Sequence, residues 1–317
     1  MDASALQRAA DSLSAEPGLR SLLVARHGRL ALERYYGGAD AATLFDARSA
    51  AKSVVGLLTG VLIRDGDLNG TDVSIAGALV PPYRLDGADS LVTVESLLTM
   101  TSGFAWEEET DWLPWLGSAN PVQGFLDRRH AHPPDSVFDY DGAAVHLLSV
   151  VLARAAGRDL ETLVVDRLLD PIGAGNITWE RLADGSVNGA AGLALSARNL
   201  ARLGQLALQD GWSADRDVVP EAWVREATRP HGPWRTSYGQ VDGVGYGYLW
   251  WTLDGSPAAF LAWGFGGQFI LVAPSLDLVV VTTTDWEGLD YSAGDALGVR
   301  ILGLLVRQVV PAVTPKE

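Results

Sequence analysis

The chain has 317 residues, of which 48% are hydrophobic and 20% charged, so its composition is globular and its length suits one large domain or two packed lobes. Its formal net charge of −15 would repel phosphate backbones, which argues against nucleic acid as a partner. The absence of cysteine excludes disulfides, thiolate chemistry and Cys-ligated metals.

The first 70 residues predict a helix, a hairpin and a long buried helix. Apolar side chains from Val54 to Leu62 cover most faces of the last helix, and Asp65-Gly66-Asp67 predicts its end. The predicted bounds are a helix over 3–14, strands over 21–26 and 30–36 joined by residues 27–29, and a helix over 49–64.

The middle of the chain is richer in turns and short helices. Residues 105–136 carry many Trp, Pro and acidic side chains without a clear period, so they predict a loop. The predicted helices of this part span residues 94–100, 143–156 and 160–169.

The last third predicts strands between two helices. The predicted strands span residues 246–252, 258–263, 268–273 and 276–284, and the helices span 197–209 and 295–309. This order predicts an α+β fold, in which an antiparallel sheet is flanked by N- and C-terminal helices and carries an inserted all-helical lobe. We expect one domain over 1–317, with an α/β lobe from about 1–69 and 191–317 and a helical lobe at about 70–190.

We find no apolar stretch that predicts a membrane span. The longest candidate, residues 269–284, is interrupted by Pro274 and Asp277, and no basic segment followed by an apolar run opens the chain. We therefore expect a cytoplasmic protein without a membrane partner. A trimmed secreted form stays open as an alternative, and so does a homodimer.

Lysine usage singles out one segment. Only two of the 24 basic residues are lysines, Lys316 near the C-terminus and Lys52 in the long helix. Arginine stays charged, whereas lysine loses its proton readily when it is desolvated. Ser49 lies three residues before Lys52, on the same helical face and at the helix N-terminus, where the macrodipole favours negative charge. Burial and that field would lower the Lys52 pKa, as a base for Ser49 requires.

The Ser49–Lys52 spacing alone supports two interpretations. The structural interpretation is a serine N-cap followed by a surface lysine, and the catalytic interpretation is a nucleophile with its base. The apolar neighbours of Lys52 favour the catalytic interpretation, because an unpaired surface cation does not belong among Val and Leu side chains.

Residues 48–66 resemble the nucleophile helix of the serine β-lactamase and penicillin-binding-protein superfamily. They are most similar to its class C-like branch, which includes family VIII carboxylesterases and 6-aminohexanoate-dimer hydrolases. Four further segments resemble segments of this family in the same order along the chain. They are residues 97–103, 138–149, 191–204 and 263–281.

The resemblance implies the roles of the site residues. Ser49 is implied to be the acylated nucleophile, Lys52 its base or the electrostatic partner of the base, and Tyr140 a second proton carrier whose pKa Lys52 would lower. The backbone N–H groups of Ser49 and Phe265 are implied to form the oxyanion hole. The residues expected to contact substrate are Trp263, Gly264, Gly266, Asp141 and Trp112.

Two positions depart from the family pattern. The Tyr-x-Asn triplet of the family reads Tyr140-Asp141-Gly142, so its asparagine is absent and Asp141 is the candidate replacement. The Lys or His of the third motif is replaced by Ala262, which removes a cation that helps to hold substrate carboxylates in the family. The second departure favours an esterase or a small-amide hydrolase over a β-lactamase or D,D-peptidase.

We therefore predict a serine hydrolase that acts on small esters through an acyl-enzyme, with a small-molecule ester or amide as its partner and without metal or cofactor. One alternative is a hydrolase of short amides, such as 6-aminohexanoate oligomers or D-amino-acid peptides. Another is a catalytically inactive ligand-binding homologue. The acidic segment 107–112 could hold an amine-bearing substrate, but a solvated loop is the favoured interpretation.

Overall fold

A computed structural model describes residues 2–313, so Lys316 lies outside the described residues. The strands are β1 (Leu19–Arg26), β2 (Arg29–Tyr35), β3 (Leu44–Asp46), β4 (Thr178–Trp179), β5 (Leu193–Ser196), β6 (Trp212–Ser213), β7 (Arg216–Asp217), β8 (Thr236–Tyr238), β9 (Val241–Tyr246), β10 (Trp251–Leu253), β11 (Ala259–Gly264), β12 (Gln268–Ala273) and β13 (Leu278–Thr284). The helices are α1 (Ala3–Ser14), α2 (Ala51–Asp65), α3 (Ala76–Leu79), α4 (Val94–Leu98), α5 (Glu108–Leu116), α6 (Pro121–Leu126), α7 (Gly142–Ala155), α8 (Leu160–Val164), α9 (Ala197–Leu208), α10 (Glu221–Ala227), α11 (Tyr291–Leu304) and α12 (Val310–Val313).

Eight strands form one antiparallel sheet in the order β2-β1-β13-β12-β11-β10-β9-β8. The N-terminal hairpin therefore pairs with the last strand, and Val24 of β1 lies opposite Val280 of β13. The strands from β8 to β13 follow one another as neighbours in the sheet. Both ends of the chain thus contribute to one sheet, as their strand composition predicts.

Helices cover both faces of this sheet. On one face α9 packs so closely that a Cβ at Gly204 would lie 2.7 Å from Ile270 and 2.6 Å from Val279. Neighbouring residues of a strand point to opposite faces. Trp263 lies on the other face, 3.2 Å from where a Cβ at Gly298 of α11 would be, and α1 packs against α11. The predicted α+β class, with an antiparallel sheet and terminal helices beside it, is confirmed.

Helix α2 runs through the core. Its side chains from Ala51 to Leu62 are all buried, as the apolar sequence predicts. The helix ends where Gly66 adopts the left-handed conformation (φ 82°) that glycine tolerates best. The Ser53 hydroxyl donates a hydrogen bond of 2.7 Å to the carbonyl of Leu249, which ties the first turn of α2 to the connection between β9 and β10. The N-terminal end of α2 is therefore held at a fixed place beside β11.

The predicted loop over residues 105–136 is wrong, because this segment contains α5 and α6. Helix α5 carries three carboxylates in its first turn, where they interact favourably with the helix dipole, and it includes Pro114. Helix α6 begins at Pro121 after the side chain of Asn120 caps its N-terminus. Both helices are too short to show a clear apolar period, and only α6 has a side-chain cap, so the sequence carries little signal for either.

The predicted strand over residues 246–252 is also wrong. Strand β9 ends at Tyr246, and β10 begins at Trp251, with which it pairs. The chain turns between them, and Leu249 adopts a positive φ of 61°. The side chains of this turn are buried and apolar, so its composition resembles that of a strand.

One helical segment of residues 2–313, Tyr291–Val313, is long and apolar enough for a membrane span, contrary to the expectation from sequence. More than half of its most apolar window is buried inside the protein. Leu297, Ile301 and Leu302 are fully or almost fully buried. The hydropathy of this segment is therefore that of a helix packed in the core.

Candidate active site

Ser49 and Lys52 face each other at the N-terminal end of α2. Ser49 lies in a 3₁₀ turn, Arg48–Ala50, that leads into the helix, and Lys52 lies in the first turn of α2. The distance between Lys52 Nζ and Ser49 Oγ is 2.7 Å. An ammonium at Nζ donates a hydrogen bond to Oγ, whereas a neutral amine can accept the Oγ proton. The spacing in the sequence thus produces a hydrogen-bonded serine–lysine pair.

The Lys52 side chain is 1% exposed. Its amine lies 4.9 Å from the centroid of the Tyr140 ring and 5.8 Å from that of the Trp112 ring, so aromatic faces surround it. Burial lowers the Lys52 pKa to about 8, the negative charge of Glu108 opposes this effect, and the positive charge of Arg48 adds to it. The sequence predicts this lowering of the Lys52 pKa, and the lower pKa makes Lys52 a better base near neutral pH.

Tyr140 lies directly before the N-cap of α7, against the same pair. Burial and the charge of Glu108 raise the Tyr140 pKa above its usual value of 10, although a hydrogen bond with Ser49 acts in the opposite direction. The expectation that Lys52 would lower this pKa is therefore wrong. Tyr140 stays protonated at neutral pH, so it can donate a proton but cannot serve as a phenolate base.

Asp141 caps α7, and its Oδ1 accepts a hydrogen bond of 3.0 Å from the backbone N–H of Ala144. Asp141 is 2% exposed, and burial raises its pKa well above 3.8. A Cβ at Gly142 would lie 2.7 Å from the Trp112 ring, so Trp112 occupies the space beside this glycine. The structure therefore places Asp141 and Trp112 around the Ser49–Lys52 pair, and neither lines the cavity in front of Ser49.

The end of β11 passes very close to the residues before Ser49. A Cβ at Gly264 would lie 2.1 Å from the carbonyl oxygen of Ala47, so this approach requires glycine. The chain then turns through Gly266 (φ 77°), and Phe265 shares the cavity wall with Ser49. In the part of the chain that the structure describes, neither the Ser49 N–H nor the Phe265 N–H donates a turn, loop or cap hydrogen bond.

The close approach at Gly264 leads to a stability prediction. We expect Gly264→Ala to push β11 away from Ala47 and to lower the free energy of unfolding by about 1–3 kcal/mol, the usual cost of overpacking. Thermal unfolding measures this change. Gly87→Ala is the matched control, because no atom lies within 4 Å of its new Cβ. Equal unfolding temperatures for the two variants would contradict a tight contact at Gly264.

A cavity of about 260 Å³ opens in front of Ser49. Of the residues expected to contact substrate, Trp263 and Gly266 lie on its wall, whereas Gly264 does not. Aromatic side chains make up much of the wall, and four carboxylates face it: Glu107, Glu108, Asp139 and Asp295. Among its described lining residues there is no Lys, Arg or His, and Ala262 is fully buried outside the wall. The cavity thus favours neutral or cationic groups over carboxylates.

Several wall residues were not found from the sequence. Tyr238 comes from β8, and Tyr291 and Asp295 come from the first turns of α11. No local motif marks these residues, because the sheet and the last helix bring them to Ser49 from distant parts of the chain. The acidic segment was assigned to a solvated loop, but Glu108 is partly buried at the start of α5 and faces the cavity.

Comparisons with known proteins identify relatives of this chain among hydrolases. A curated relative, the 6-aminohexanoate-dimer hydrolase of Paenarthrobacter ureafaciens, is 25% identical over 304 residues that cover 85% of this chain and 73% of that protein. Esterase EstB of Burkholderia gladioli is 31% identical over 180 residues, which cover 48% of this chain and 44% of the esterase.

A solved structure from Bacillus anthracis, assigned provisionally as a 6-aminohexanoate-dimer hydrolase, shares the fold with a TM-score of 0.81 at 18% identity. The similarity covers 96% of this chain and 81% of that one. The β-lactamase/transpeptidase-like fold expected from sequence is thus confirmed. The family model described as Beta-lactamase matches residues 6–303. The chain therefore belongs to the Beta-lactamase family and is a serine hydrolase of that family.

Proposed function

We propose that this protein hydrolyses small carboxylic esters through an acyl-enzyme on Ser49. The observation that carries the proposal is the distance of 2.7 Å between Ser49 Oγ and a buried Lys52 Nζ, at the edge of an open cavity. A serine next to a base of lowered pKa is the arrangement that nucleophilic catalysis requires. In a catalytically inactive homologue, nothing would offset the desolvation cost of burying Lys52 beside Ser49.

In the proposed reaction, Ser49 Oγ attacks the ester carbonyl carbon while Lys52 Nζ takes the hydroxyl proton. The backbone N–H groups of Ser49 and Phe265 stabilise the oxyanion of the tetrahedral intermediate. As the C–O bond to the alcohol breaks, Tyr140 donates its proton to the leaving alkoxide, and the Lys52 ammonium returns a proton to Tyr140. Water then attacks the acyl carbon while neutral Lys52 Nζ takes one of its protons. The bond between the acyl carbon and Ser49 Oγ breaks, and the Lys52 ammonium returns the proton to Oγ, which regenerates Ser49 and releases the acid.

The cavity wall supports esters over β-lactams as substrates. The family cation that holds a substrate carboxylate is replaced by a buried Ala262, and the four carboxylates of the wall would repel such a group. The volume of about 260 Å³ suits a small acyl group against the rings of Trp251 and Trp263. We therefore expect short-chain esters to be hydrolysed and penicillin-like carboxylates to be poor substrates.

A hydrolase of short amides with a free amino group is the second candidate. Glu107, Glu108 and Asp139 form an acidic side of the cavity that would attract an ammonium group. The relative named 6-aminohexanoate-dimer hydrolase points in the same direction. Matched esters and amides of hexanoate and 6-aminohexanoate separate the candidates, since an amidase of this kind would prefer the amino compounds in both series.

Covalent labelling tests the role of Ser49 directly. We expect a fluorophosphonate probe to add once to the protein, as measured by intact mass, and peptide mapping should place the adduct on Ser49. Absence of an adduct on the folded protein would overturn the proposal, and so would an adduct on another serine.

The labelling rate should also depend on pH in a defined direction. Lys52 has to be neutral to accept the Ser49 proton, and its pKa is about 8. We therefore expect the rate to rise about tenfold for each pH unit below 8 and to level off above it. The raised Tyr140 pKa predicts no falling limb near neutral pH. The labelling rate is measured by quenching the fluorophosphonate reaction at fixed times at each pH from 5 to 9.5. A midpoint of the rate curve near pH 6 would contradict Lys52 as the base.

A further inference from the structure

The absent asparagine of the triplet leaves a space that other side chains fill. A Cβ at Gly142 would lie 2.7 Å from Trp112 and 3.0 Å from Glu108 Oε1. Both side chains belong to α5, whose residues the sequence assigned to a loop. A side chain at position 142 would thus point into the volume that Trp112 and the Glu108 carboxylate already occupy. Side chains of α5 therefore occupy the space that the asparagine side chain would fill beside Gly142.

The Glu108 carboxylate is held in a fixed orientation. Its Oε2 accepts a hydrogen bond of 3.0 Å from the backbone N–H of Gly142 and one of 2.6 Å from the indole N–H of Trp106. Glu108 also lines the cavity in front of Ser49. A carboxylate anchored through one oxygen presents its other oxygen in a constant direction, which a mobile surface glutamate does not.

Four charged or titratable groups act on the Ser49–Lys52 pair from the elements around it. They are Arg48 in the turn before α2, Tyr140 and Asp141 before α7, and Glu108 in α5. Arg48 disfavours the Lys52 ammonium, whereas Glu108 is the largest charge that favours it. Asp141 acts in the same direction more weakly, and burial raises its own pKa. Because its Oδ1 also accepts the backbone N–H of Ala144 as the cap of α7, Asp141 is the weaker candidate to replace the missing residue.

We propose that Glu108 takes the place of the triplet asparagine as the positioning residue that stabilises the Lys52 ammonium beside Ser49. The proposal rests on the proposed function in one respect, because it assumes that Lys52 exchanges a proton with Ser49 in each cycle. Glu108 makes the protonated state of Lys52 accessible in a site where burial and Arg48 disfavour it. In the proposed cycle, this state is the one that returns the proton through Tyr140.

The composition of the chain makes this effect directly measurable. Lys52 and Lys316 are the only lysines, so protein labelled with ¹³C-lysine gives two side-chain signals, and Lys316→Arg assigns the Lys52 signal. We expect Glu108→Gln to lower the Lys52 pKa below its wild-type value, because a favourable charge is removed while the shape is kept. The acid limb of the labelling rate should move to lower pH with it.

Two further variants serve as controls. Glu109→Gln removes a neighbouring exposed carboxylate that does not line the cavity, so it should leave the Lys52 pKa unchanged. Glu108→Asp keeps the negative charge, so its Lys52 pKa should stay nearer to the wild-type value than that of Glu108→Gln. Thermal unfolding establishes that each variant is folded.

An unchanged or raised Lys52 pKa in folded Glu108→Gln would overturn the proposal. Equal shifts in Glu108→Gln and Glu109→Gln would do the same, since they would indicate a general effect of surface charge. This titration is independent of activity. A failure of Ser49 to react with fluorophosphonate would refute the proposed function, whereas an unchanged titration would refute only the role of Glu108.

Discussion

Replacing Ser49 with alanine is expected to reduce ester hydrolysis by about 10⁶-fold in kcat, the size of the loss when the nucleophile of another serine hydrolase is removed. The physical reason is that no other hydroxyl described in the structure is hydrogen-bonded to Lys52. Initial rates on a short-chain p-nitrophenyl ester, corrected for spontaneous hydrolysis, measure the effect. The oxyanion hole and the cavity would remain, so substrate binding should be largely retained.

Ser53→Ala is the matched control for this variant. Ser53 lies one turn further along the same buried helix, and its hydroxyl donates to the carbonyl of Leu249 rather than to Lys52. Its loss should cost about 1 kcal/mol of stability and leave kcat within a few-fold of the wild type. Comparable activity in Ser49→Ala and Ser53→Ala would rule out Ser49 as the nucleophile.

Lys52→Met is expected to have opposite effects on activity and stability. Removing the base should lower kcat by about 10²–10⁴-fold. Methionine has a similar length, but it carries no charge that has to be desolvated. The Lys52 pKa falls from 10.5 to about 8 on folding, which corresponds to a destabilisation of about 3 kcal/mol while the amine is protonated. We therefore expect the variant to be more stable than the wild type at pH 7 by up to about 3 kcal/mol.

The pH dependence of this difference gives a second check. Because the Lys52 pKa is lower in the folded state, the wild type gains stability as the pH rises from about 8 to 10.5. Lys52→Met lacks this gain, so the two free energies of unfolding should converge over that range. Urea unfolding at pH 7 and pH 10 measures both values. If Lys52→Met were less stable than the wild type at pH 7, burial of the Lys52 ammonium would not be destabilising, which would contradict this prediction.

The sequence was most informative where chemistry and local structure coincide. The rarity of lysine marked Lys52, the apolar run predicted its burial, and the three-residue spacing placed Ser49 on the same side. Each of these signals comes from neighbouring residues, so none depends on how distant parts of the chain meet. The motif segments added Tyr140 and Phe265 through their resemblance to a family, and the structure brings both to Ser49.

The sequence was least informative about pKa shifts in the site and about which residues line the cavity. The sign of the Tyr140 pKa shift depends on its burial and on Glu108, which is 32 residues earlier and lies in a helix that the pattern did not reveal. Tyr238 and Asp295 reach the cavity only because the fold places the Tyr238 ring 4.8 Å from the Trp263 ring and packs α11 against the same face of the sheet. Such contacts are properties of the complete fold, and a local sequence window does not contain them.

The pairing of β1 with β13 has a consequence for how the protein is made. Ser49 leaves the ribosome early, but Phe265 and the strand that covers β1 follow more than 200 residues later. During synthesis the edge of β1 therefore stays unpaired, and an unpaired edge is a site for aggregation. The cavity in front of Ser49 is therefore incomplete until β11 and β13 have emerged from the ribosome. Because its strands pair across large sequence separations, we expect the sheet to form slowly and late in synthesis. Overproduction at low temperature should therefore raise the yield of active protein.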